Sequence, residues 1–449
     1  MTSRELAIRI IRRLRRAGHQ ALLAGGCVRD RLLGARPKDY DVATSARPEE
    51  VRRLFRRTLA VGAQFGVIVV LDSGAQVEVA TFRSDESYRD GRHPTAVRFT
   101  TAEEDARRRD FTINALFYDP LSRRTIDYVG GVRDLGRGLV RAVGQAEERF
   151  REDHLRMLRA VRFSARLGFR IAPATRRAIR QLAPLIRRTS GERVREELAM
   201  MLVDASRTRA VELADKVGLL GEILPEVLAM KCCRQGPRAH PEGDVWRHTL
   251  LCLGALRRPT FILALATLLH DIGKPATAEY REGEIHFYGH ARVGARMAAA
   301  VAQRLRLSTA DRDELLWLIE HHLDFMHARQ MRRATLKRLF QSPHFAHLAE
   351  LHRADLIGSR APLADHRYVM GAFRRLSAEE VKPAPLVRGH DILRLGLSPG
   401  PAVGRVLRTL YDEQLDGRLT ARRAALSRAR ELVRAELASA AAPGGGQES

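Results

Sequence analysis

Hydrophobic residues change their spacing along the chain. Between about Gly18 and Leu139, short β-branched segments such as FGVIVVLD and QVEVATF alternate with segments of helical periodicity. This alternation predicts a domain that contains both strands and helices. From Ala146 onward, apolar residues recur at helical spacing in almost every segment, so the remainder of the chain is predicted to be helical.

The segment HQALLAGG predicts a buried strand that ends at two glycines, and CVRDRLLG predicts a helix directly after them. Gly25 and Gly26 let the backbone approach a ligand closely, while the helix N-terminus and Arg29 supply positive potential. A triphosphate fits such a turn. A double glycine before a helix is also common as a simple tight turn, so this motif alone does not establish a binding site.

Two aspartates follow in the segment DYDVAT. Side chains two residues apart on a strand project from the same face, so Asp39 and Asp41 are predicted to be neighbouring carboxylates. A divalent cation relieves their repulsion, and oxygen ligands favour Mg²⁺. Glu78, on a later predicted strand, could furnish a third carboxylate. Such a cluster suits metal-assisted displacement at a phosphate, whereas an isolated pair of aspartates is more often part of a solvated loop.

The sequence from GGCVRD through DYDVAT resembles the signature of the nucleotidyltransferase superfamily of DNA polymerase beta. Within that superfamily, it resembles the class II tRNA nucleotidyltransferases, which add CCA to tRNA 3′ ends, and the bacterial poly(A) polymerases. The resemblance implies catalysis by Asp39, Asp41 and Glu78, with Mg²⁺ at the two aspartates. It also implies that Gly25, Gly26 and Arg29 bind the triphosphate.

The segment RRRDFTINAL resembles the ribose-recognition motif of this family. The resemblance implies that Arg109, Asp110 and Asn114 contact the nucleotide. From the residues alone, this segment could equally be the start of an amphipathic helix with Asp110 as its cap.

The segment RFREDHLRMLRAVRFSARLGF resembles the base-selecting helix of the family, and Arg159 in it is a further expected nucleotide contact. Asp153 and Arg156 stand three residues apart, hence on one face of a helix. An aspartate that accepts and an arginine that donates match the amino group and ring nitrogen of cytosine and adenine, and they reject uracil and guanine. The alternative is a surface ion pair.

Three further segments bear on the resemblance. TSGERVREEL, with Ser190, Arg193 and Glu196, resembles the next helical motif and is expected to support the site. The polar segment Thr81 to Phe99 resembles the flexible loop needed to switch from C to A addition, which argues against an enzyme restricted to CC. The segment GAQFGV, Gly62 to Val67, stands where the poly(A) polymerases carry a basic string, which favours the tRNA enzyme.

The second half carries a different set of motifs. His248, His270 with Asp271, and Asp355 follow the order H, HD, D of the HD phosphohydrolase superfamily, and His270 and Asp271 lie in LLHDIGKP. Imidazole and carboxylate ligands from separate helices can hold a divalent metal, of unknown identity here, and activate water against a phosphate ester. His290, His321 and His322 are candidates for second-metal or phosphate contacts.

Charge and composition limit the kinds of partner that this chain is expected to bind and the compartment in which it is expected to work. The 78 Lys and Arg outnumber the 53 Asp and Glu and give a net charge of +25, which implies a polyanionic partner, with nucleic acid first and an anionic membrane surface second. The four cysteines show no CxxC pair and fit a reducing cytoplasm. The first segment is predicted to be an amphipathic helix rather than a signal peptide, and no stretch is long enough to span a membrane.

The implied fold class is α+β, with a polymerase-beta-like head made of a small mixed sheet and helices, then an all-α neck, an HD domain and a helical tail. The predicted domains are a catalytic head at 1–142, a helical neck and body at 143–235, an HD domain at 236–365, a tRNA-binding tail at 366–440 and a disordered end at 441–449.

The resemblance implies a cytoplasmic enzyme that adds or repairs the CCA end of tRNA from CTP and ATP, releases pyrophosphate and has no membrane partner. The alternatives are an A-adding tRNA nucleotidyltransferase, a poly(A) polymerase, and a protein that acts mainly through its HD domain. The sequence leaves both a monomer and a homodimer open.

Overall fold

The computed structural model describes residues 1–60, 66–88, 94–236 and 243–441. Most of the GAQFGV segment, the centre of the predicted loop and the predicted disordered end beyond 441 lie outside the described residues. The chain divides into two compact units. The first contains Met1–Ala229 and Ala300–Ser308, and the second contains Met230–Ala299 and the chain from Thr309 onward.

The first unit contains most of the described strands. They are β1 (Ala21–Ala24), β2 (Asp41–Thr44), β3 (Thr58–Leu59), β4 (Val67–Asp72), β5 (Ala75–Thr81), β6 (Arg83–Tyr88), β7 (Pro94–Phe99), β8 (Leu116–Asp119), β9 (Arg124–Asp127), β10 (Leu139–Val140) and β11 (Arg170–Ile171). The second unit adds the hairpin of β12 (Glu279–Arg281) and β13 (Glu284–His286).

A seven-stranded mixed sheet forms the centre of the first unit, in the order β3-β4-β5-β2-β1-β8-β9. Its pairs are antiparallel except β2 and β5, which run parallel. All four residues of β1 are buried, whereas β5 alternates buried and exposed positions. One face of β5 therefore packs on the core while the other presents polar side chains to solvent.

Helices account for most of the rest. In the first unit they are α1 (Ser3–Arg16), α2 (Gly26–Leu32), α3 (Pro48–Leu54), α4 (Ala102–Arg108), α5 (Gly131–Gly136), α6 (Ala146–Glu152), α7 (Arg156–Leu167), α8 (Pro173–Leu182), α9 (Gly191–Leu202), α10 (Arg207–Lys216), α11 (Leu219–Ile223) and α12 (Pro225–Leu228). Short 3₁₀ turns lie at Thr112–Asn114 and Ala183–Arg188.

The second unit is almost entirely helical. Its helices are α13 (Val245–Ala255), α14 (Phe261–Leu269), α15 (His290–Arg304), α16 (Thr309–His321), α17 (Arg333–Phe340), α18 (Phe345–Gly358), α19 (Ala364–Arg375), α20 (Ala378–Val381), α21 (Gly389–Arg394), α22 (Pro401–Leu415) and α23 (Arg422–Ala441). The end of α15, from Ala300, belongs to the first unit. Short 3₁₀ turns lie at Pro275–Thr277 and Asp324–His327.

Local sequence explains why these elements form. Helix α1 begins at a capping box in which Thr2 and Glu5 satisfy each other's backbone N–H groups, and its apolar face, with Ile10 and Leu14, is buried. The last helices pack on a small apolar core that includes Ile392 and Leu410. The predicted fold class, a head with a mixed sheet followed by helical domains, is confirmed, and the predicted division into four domains and a disordered end stays a prediction. No helix in the described ranges is both long and apolar enough to cross a membrane.

Candidate active site

The glycine turn joins β1 to α2 as predicted. Gly25 has φ 73° and ψ −130°, a conformation that favours glycine, and a Cβ there would stand 3.1 Å from Arg109 Nη1. At Gly26, an added Cβ would meet its nearest side-chain atom, Arg29 Nη2, at an ordinary 3.7 Å. Gly25 therefore allows a close approach between the turn and Arg109.

Arg29 is directed into the protein. Its side chain is buried, Nη1 donates to Asn114 Oδ1 at 2.7 Å, and Nε and Nη2 both donate to Asp30 Oδ1. The guanidinium also lies over the Phe163 ring. Arg29 thus positions Asn114, and its predicted contact with a triphosphate stays a prediction.

Three carboxylates lie at one edge of the exposed sheet face. Asp41 opens β2 and is the register partner of Glu78 on the parallel strand β5, and both side chains are exposed. Asp39 precedes β2 rather than lying within it, so the expectation of two aspartates on one strand was wrong for Asp39. Crowding by protein atoms and the charges of Glu78 and Asp39 raise the pKa of Asp41 to about 6. The three negative charges therefore act on one another.

Arg109 supplies the positive charge beside this cluster. Its charge opposes the rise in the pKa of Asp41, and its guanidinium donates to Asp105 through Nε and Nη2, at 3.1 and 2.9 Å. The buried carboxylate of Asp105 also binds Arg108, and these two arginines lower its pKa despite burial. Asp105 was missed by the sequence reasoning, although its place four residues before Arg109 on a helix was a usable signal.

Asp110 connects the head motif to helix α7. Arg159 donates to Asp110 Oδ2 from Nε and Nη2, at 2.9 and 2.7 Å, and Asn114 Nδ2 lies 3.2 Å from Asp110 Oδ1. Burial would raise the pKa of Asp110, but Arg159 outweighs it and lowers that pKa. Arg159 also faces the buried Glu197, which binds Arg162 at 2.6 Å. Three predicted nucleotide contacts, Asp110, Asn114 and Arg159, are thus joined in one network.

Asp153 and Arg156 were predicted to share one face of a single helix, but they do not. Helix α6 ends before Asp153, whose backbone is extended (φ −146°, ψ 105°), and α7 begins at Arg156. Asp153 accepts from Arg193 Nη2 at 2.9 Å, and Arg156 Nη1 donates to Glu152 Oε2 at 2.6 Å. The two residues therefore stand at a junction between helices, and the supporting role expected of Arg193, which bonds Asp153, stays a prediction.

A basic cleft of about 1250 Å³ lies between the start of α1, helix α2 and the loop before Asp39. Five exposed cations line it, namely Arg4, Arg31, Arg36, Lys38 and Arg123. Arg31 donates to the Tyr118 hydroxyl and stacks over that ring. The lining carries one carboxylate, Glu5, which caps the first helix. The cleft therefore has a strong local excess of positive charge.

The second unit brings all four predicted HD residues together. His248, His270 and Asp355 form one donor set, which also includes Cys252, with ligand atoms within 4.8 Å of one another. His248 Nε2 lies 3.0 Å from Asp355 Oδ1 and 3.3 Å from Cys252 Sγ. Burial raises the pKa of the Cys252 thiol to about 11. Cys252 was not anticipated from the sequence.

Asp271 forms a second donor set with His290 and His322. The two histidine Nε2 atoms lie 3.3 Å apart, and Asp271 Oδ1 lies 3.4 Å from the Nε2 of His290. Lys274 Nζ stands 2.7 Å from Asp271 Oδ2. Burial, which would raise the pKa of Asp271, is outweighed by His270 and Lys274, so that pKa lies well below its usual range. The predicted candidate His321 instead bonds Asp324 at 2.7 Å.

Backbone carbonyls fix the orientation of three imidazoles in these sets. The contacts join Nδ1 to a carbonyl three residues earlier, in the pairs His270 with Thr267, His290 with Phe287 and His322 with Ile319, at 2.8, 2.7 and 2.7 Å. A carbonyl only accepts, so Nδ1 carries the proton and Nε2 keeps its lone pair when the ring is neutral. His270 Nε2 is buried without a hydrogen-bond partner among the described residues.

Facing lone pairs explain why these residues fit a metal. Burial and the neighbouring imidazoles lower the pKa of His322 to about 3, so this ring is neutral. When the His290 ring is neutral as well, its lone pair and that of His322, 3.3 Å apart, repel unless a cation lies between them. A cavity of about 1150 Å³ opens beside Asp271, His290 and Asp355, which leaves space for a phosphate ester.

Three family models match the chain in order. The Poly A polymerase head domain matches residues 21–141, the probable RNA and SrmB-binding site of polymerase A matches 168–231, and the HD domain matches 247–357. The first curated relatives are matched over about half of their own length.

Two relatives and one solved structure show the extent of similarity. The CCA-adding enzyme of Limosilactobacillus fermentum is 31% identical over 91% of this chain and 92% of that protein. Poly(A) polymerase I of Escherichia coli is 45% identical over 44% of this chain and 45% of that protein. The crystal structure of the Bacillus stearothermophilus CCA-adding enzyme in complex with CTP has a TM-score of 0.72 and 28% identity, covering 97% of this chain and 98% of that chain.

Proposed function

This chain belongs to the family of class II CCA-adding enzymes and bacterial poly(A) polymerases, and on that premise we propose that it adds CCA to tRNA 3′ ends from CTP and ATP. The observation that carries the proposal is the pairing of Asp41 with Glu78 across β2 and β5, with Arg109 beside the glycine turn. These residues place negative charge for a metal and positive charge for a phosphate at one edge of the sheet.

In the proposed reaction, the tRNA 3′ hydroxyl oxygen attacks the α-phosphate of the nucleotide. The bond from that phosphorus to the bridging oxygen breaks, pyrophosphate leaves, and the hydroxyl proton passes to solvent. Asp39 and Asp41, with Glu78, would hold a divalent cation, for which the oxygen donors favour Mg²⁺. When bound, the cation supplies a Lewis acid for the attacking and leaving oxygens.

Mutual repulsion supports this assignment of the carboxylates. Among the described residues, both groups of three or more ligand atoms within 4.8 Å of one another belong to the second unit, so the head carboxylates do not form a group that compact. Three like charges on an exposed face are expected to stay apart until a cation reduces their repulsion. Crowding by protein atoms first, and then the charges of Glu78 and Asp39, raise the pKa of Asp41, which is in keeping with carboxylates that lie close to one another.

Nucleotide choice is proposed to rest on Asp153 and Arg156. Arg193 donates a hydrogen bond to Asp153, and Arg156 donates one to Glu152, so both side chains are held in position. Cytosine and adenine offer an amino donor beside a ring acceptor, which these two residues match, whereas uracil and guanine do not. The protein would then select the base without a nucleic acid template.

The net charge of +25 and the basic cleft support tRNA as the polyanionic partner. We place the enzyme in the cytoplasm, where uncharged tRNA, CTP and ATP are available. The free cysteines of the described chain suit a reducing compartment.

The experiment that tests the proposal uses tRNA transcripts that end before CCA, after C and after CC, with each nucleotide supplied singly. A CCA-adding enzyme incorporates C into the first two and A into the third. Incorporation of A into the third transcript, with no incorporation of C into the first two, would identify the A-adding alternative. Extension of unrelated RNA by many adenylates would identify a poly(A) polymerase.

A second activity is proposed for the second unit, which carries two donor sets beside an open cavity. Metal held by His248, His270, Asp271 and Asp355 would activate water for hydrolysis of a phosphate ester. Two features favour this activity over a purely structural role. The buried Nε2 of His270 makes no hydrogen bond with the described residues although Asp271 Oδ2 is 3.3 Å away, and the Nε2 atoms of His290 and His322 face each other.

A further inference from the structure

Cys252 follows His248 by one helical turn on α13, and its sulfur faces the first donor set of the second unit. We propose that Cys252 binds metal as a thiolate, so that this set, with His248, His270 and Asp355, holds a thiophilic ion such as Zn²⁺ in preference to Mg²⁺. The inference rests on the metal site proposed above for the HD residues and goes beyond it by assigning a sulfur ligand.

The first argument is crowding around one atom. His248 Nε2 lies 3.3 Å from Cys252 Sγ, 3.0 Å from Asp355 Oδ1 and 3.7 Å from Asp271 Oδ2. A single ring nitrogen either donates one hydrogen bond or accepts one. Nε2 therefore cannot donate to the carboxylate and accept from the thiol at the same time. A cation at the centre of the set satisfies the nitrogen, the oxygen and the sulfur at once.

The second argument is the spacing of the donor atoms. In a tetrahedral site with bonds of about 2.0 Å to nitrogen and about 2.3 Å to sulfur, neighbouring ligand atoms lie roughly 3 to 4 Å apart. The Sγ to Nε2 distance of 3.3 Å falls in this range. His270 contributes a buried Nε2 that lies 3.3 Å from Asp271 Oδ2 and makes no hydrogen bond with the described residues, which is an independent feature of a metal-binding nitrogen.

The third argument is the glycine at position 358 of α18, which leaves just enough space for the sulfur of Cys252. At Gly358 on α18, an added Cβ would stand 2.4 Å from Cys252 Sγ and 3.1 Å from the backbone nitrogen of Cys252. Any side chain at Gly358 would therefore displace the sulfur. The close contact of α13 and α18 keeps Sγ beside His248 and Asp355 instead of in a general apolar core.

The chemistry follows from ligand softness. Two imidazoles, one carboxylate and one thiolate favour Zn²⁺, Co²⁺ or Fe²⁺, whereas Mg²⁺ prefers oxygen ligands only. On binding, a metal–sulfur bond forms and the thiol proton passes to solvent, so affinity falls as the pH is lowered. The head carboxylates, which offer only oxygen, would keep their preference for Mg²⁺.

Cobalt titration of the metal-free full-length protein tests the proposal. Co²⁺ bound to a thiolate gives a sulfur-to-metal charge-transfer band in the near ultraviolet, while its weaker visible bands report binding to any ligand set. We expect both signals in the wild type, and we expect Cys252→Ser to lose the charge-transfer band. Zn²⁺ affinity is measured by competition with a chelating dye. It should fall by at least about tenfold, because losing a residue that only contacts a metal ligand already costs about that much, and Cys252 is proposed to be a ligand itself.

Cys232→Ser and Cys233→Ser are the matched controls, because both cysteines belong to the second unit but not to the donor set. They should retain the band. Visible bands without a charge-transfer band would overturn the role of Cys252 and leave the HD metal site standing. Visible bands unchanged by His270→Ala would instead overturn the HD metal site itself. Nucleotide addition by Cys252→Ser serves as the check on folding.

Discussion

Arg159 donates hydrogen bonds from Nε and Nη2 to Asp110 Oδ2, at 2.9 and 2.7 Å, and so joins a loop of the head to helix α7. Asp110→Ala and Arg159→Ala each break this pair. We expect their losses in kcat/KM for CTP to be non-additive, with a coupling energy of roughly 0.5 to 3 kcal/mol in a double-mutant cycle.

The exposed pair of Glu103 and Arg107 provides the comparison. It joins neighbouring turns of α4, with both side chains about half exposed or more. Its cycle should give a coupling of at most about 1 kcal/mol in the same assay. Additive losses at Asp110 and Arg159 would show that the two residues act independently on the nucleotide.

The raised pKa of Asp41 predicts a conflict between stability and activity. Because the pKa is raised from 3.8 to about 6, the folded protein binds more protons than the unfolded chain in this interval, and stability falls as the pH rises through it. Asp41→Asn should therefore raise the Tm of the metal-free protein at neutral pH and abolish nucleotide incorporation.

The gain in Tm should shrink toward zero near pH 3.8, where the native carboxyl is largely protonated. Glu103→Gln, a change at an exposed carboxylate of the same unit, should show neither effect. Near-normal incorporation by Asp41→Asn would refute the catalytic assignment of this residue.

Base choice should depend on Arg193 although it is not expected to touch the base. Arg193→Ala removes the cation that holds Asp153, so UTP and GTP should compete better, with a discrimination loss below the roughly 1 to 3 kcal/mol expected for Asp153→Ala. Arg193→Lys should recover part of the selectivity. The measurement is kcat/KM for the four nucleotides on one tRNA.

An exposed arginine of the tail serves as the control for this series. Arg408 on α22 is exposed, and it is preferred to Arg405 on the same helix because Arg405 already pairs with Glu436 through Nε and Nη2. Arg408→Ala should weaken tRNA binding at most and leave the nucleotide ratios unchanged. Unchanged ratios in the Arg193 and Asp153 variants would place selection elsewhere in the pocket.

The basic cleft should contribute to RNA affinity without contributing to base choice. Arg36→Ala and Lys38→Ala should each weaken tRNA binding and lower the slope of log Kobs against log salt by about 1. The comparison is Arg107→Ala, whose cation is already paired with Glu103. Salt slopes equal to that of the wild type would mean that the phosphates do not enter the cleft.

The two proposed activities should separate by mutation. His270→Ala should remove metal-dependent phosphohydrolysis and spare nucleotide addition, because the residue lies in the second unit. His321→Ala should spare both, since His321 bonds Asp324 rather than the donor sets. Hydrolysis of a chromogenic phosphodiester and CCA addition can be followed on the same preparations. Loss of CCA addition in folded His270→Ala would show that the activities are coupled.

Local pattern was sufficient where a motif lies within one element. The sequence placed Gly25 and Gly26 between a strand and a helix, where β1 ends and α2 begins, whereas Glu78 was named only as a possible third carboxylate and its register with Asp41 was not predicted. The mutual approach of His248, His270 and Asp355 was anticipated only through the resemblance, since no local rule brings separate helices together.

The remaining departures concern packing between elements. A break at Asp153 ends α6, although the periodicity of the segment continued past it. Glu197, which was not anticipated, packs inward on α9 and binds Arg162, whereas the supporting role expected of the exposed Glu196 stays a prediction. The place of Cys252 beside the donor set could not be predicted from the sequence, which lacks a CxxC pair. That place depends on the close packing of Gly358, on another helix, against the sulfur.

The return of Ala300–Ser308 to the first unit limits how this protein can be divided. Arg304 donates to the carbonyl of Ile223 and pairs with Glu226, and Leu305 is buried. A Cβ at Gly191 would collide with the carbonyl oxygen of Arg304 at 2.2 Å, so α9 rests directly on this returning backbone. A shortened chain that stopped at Ala229 would leave α9 without its cover, and no single cut yields both units intact.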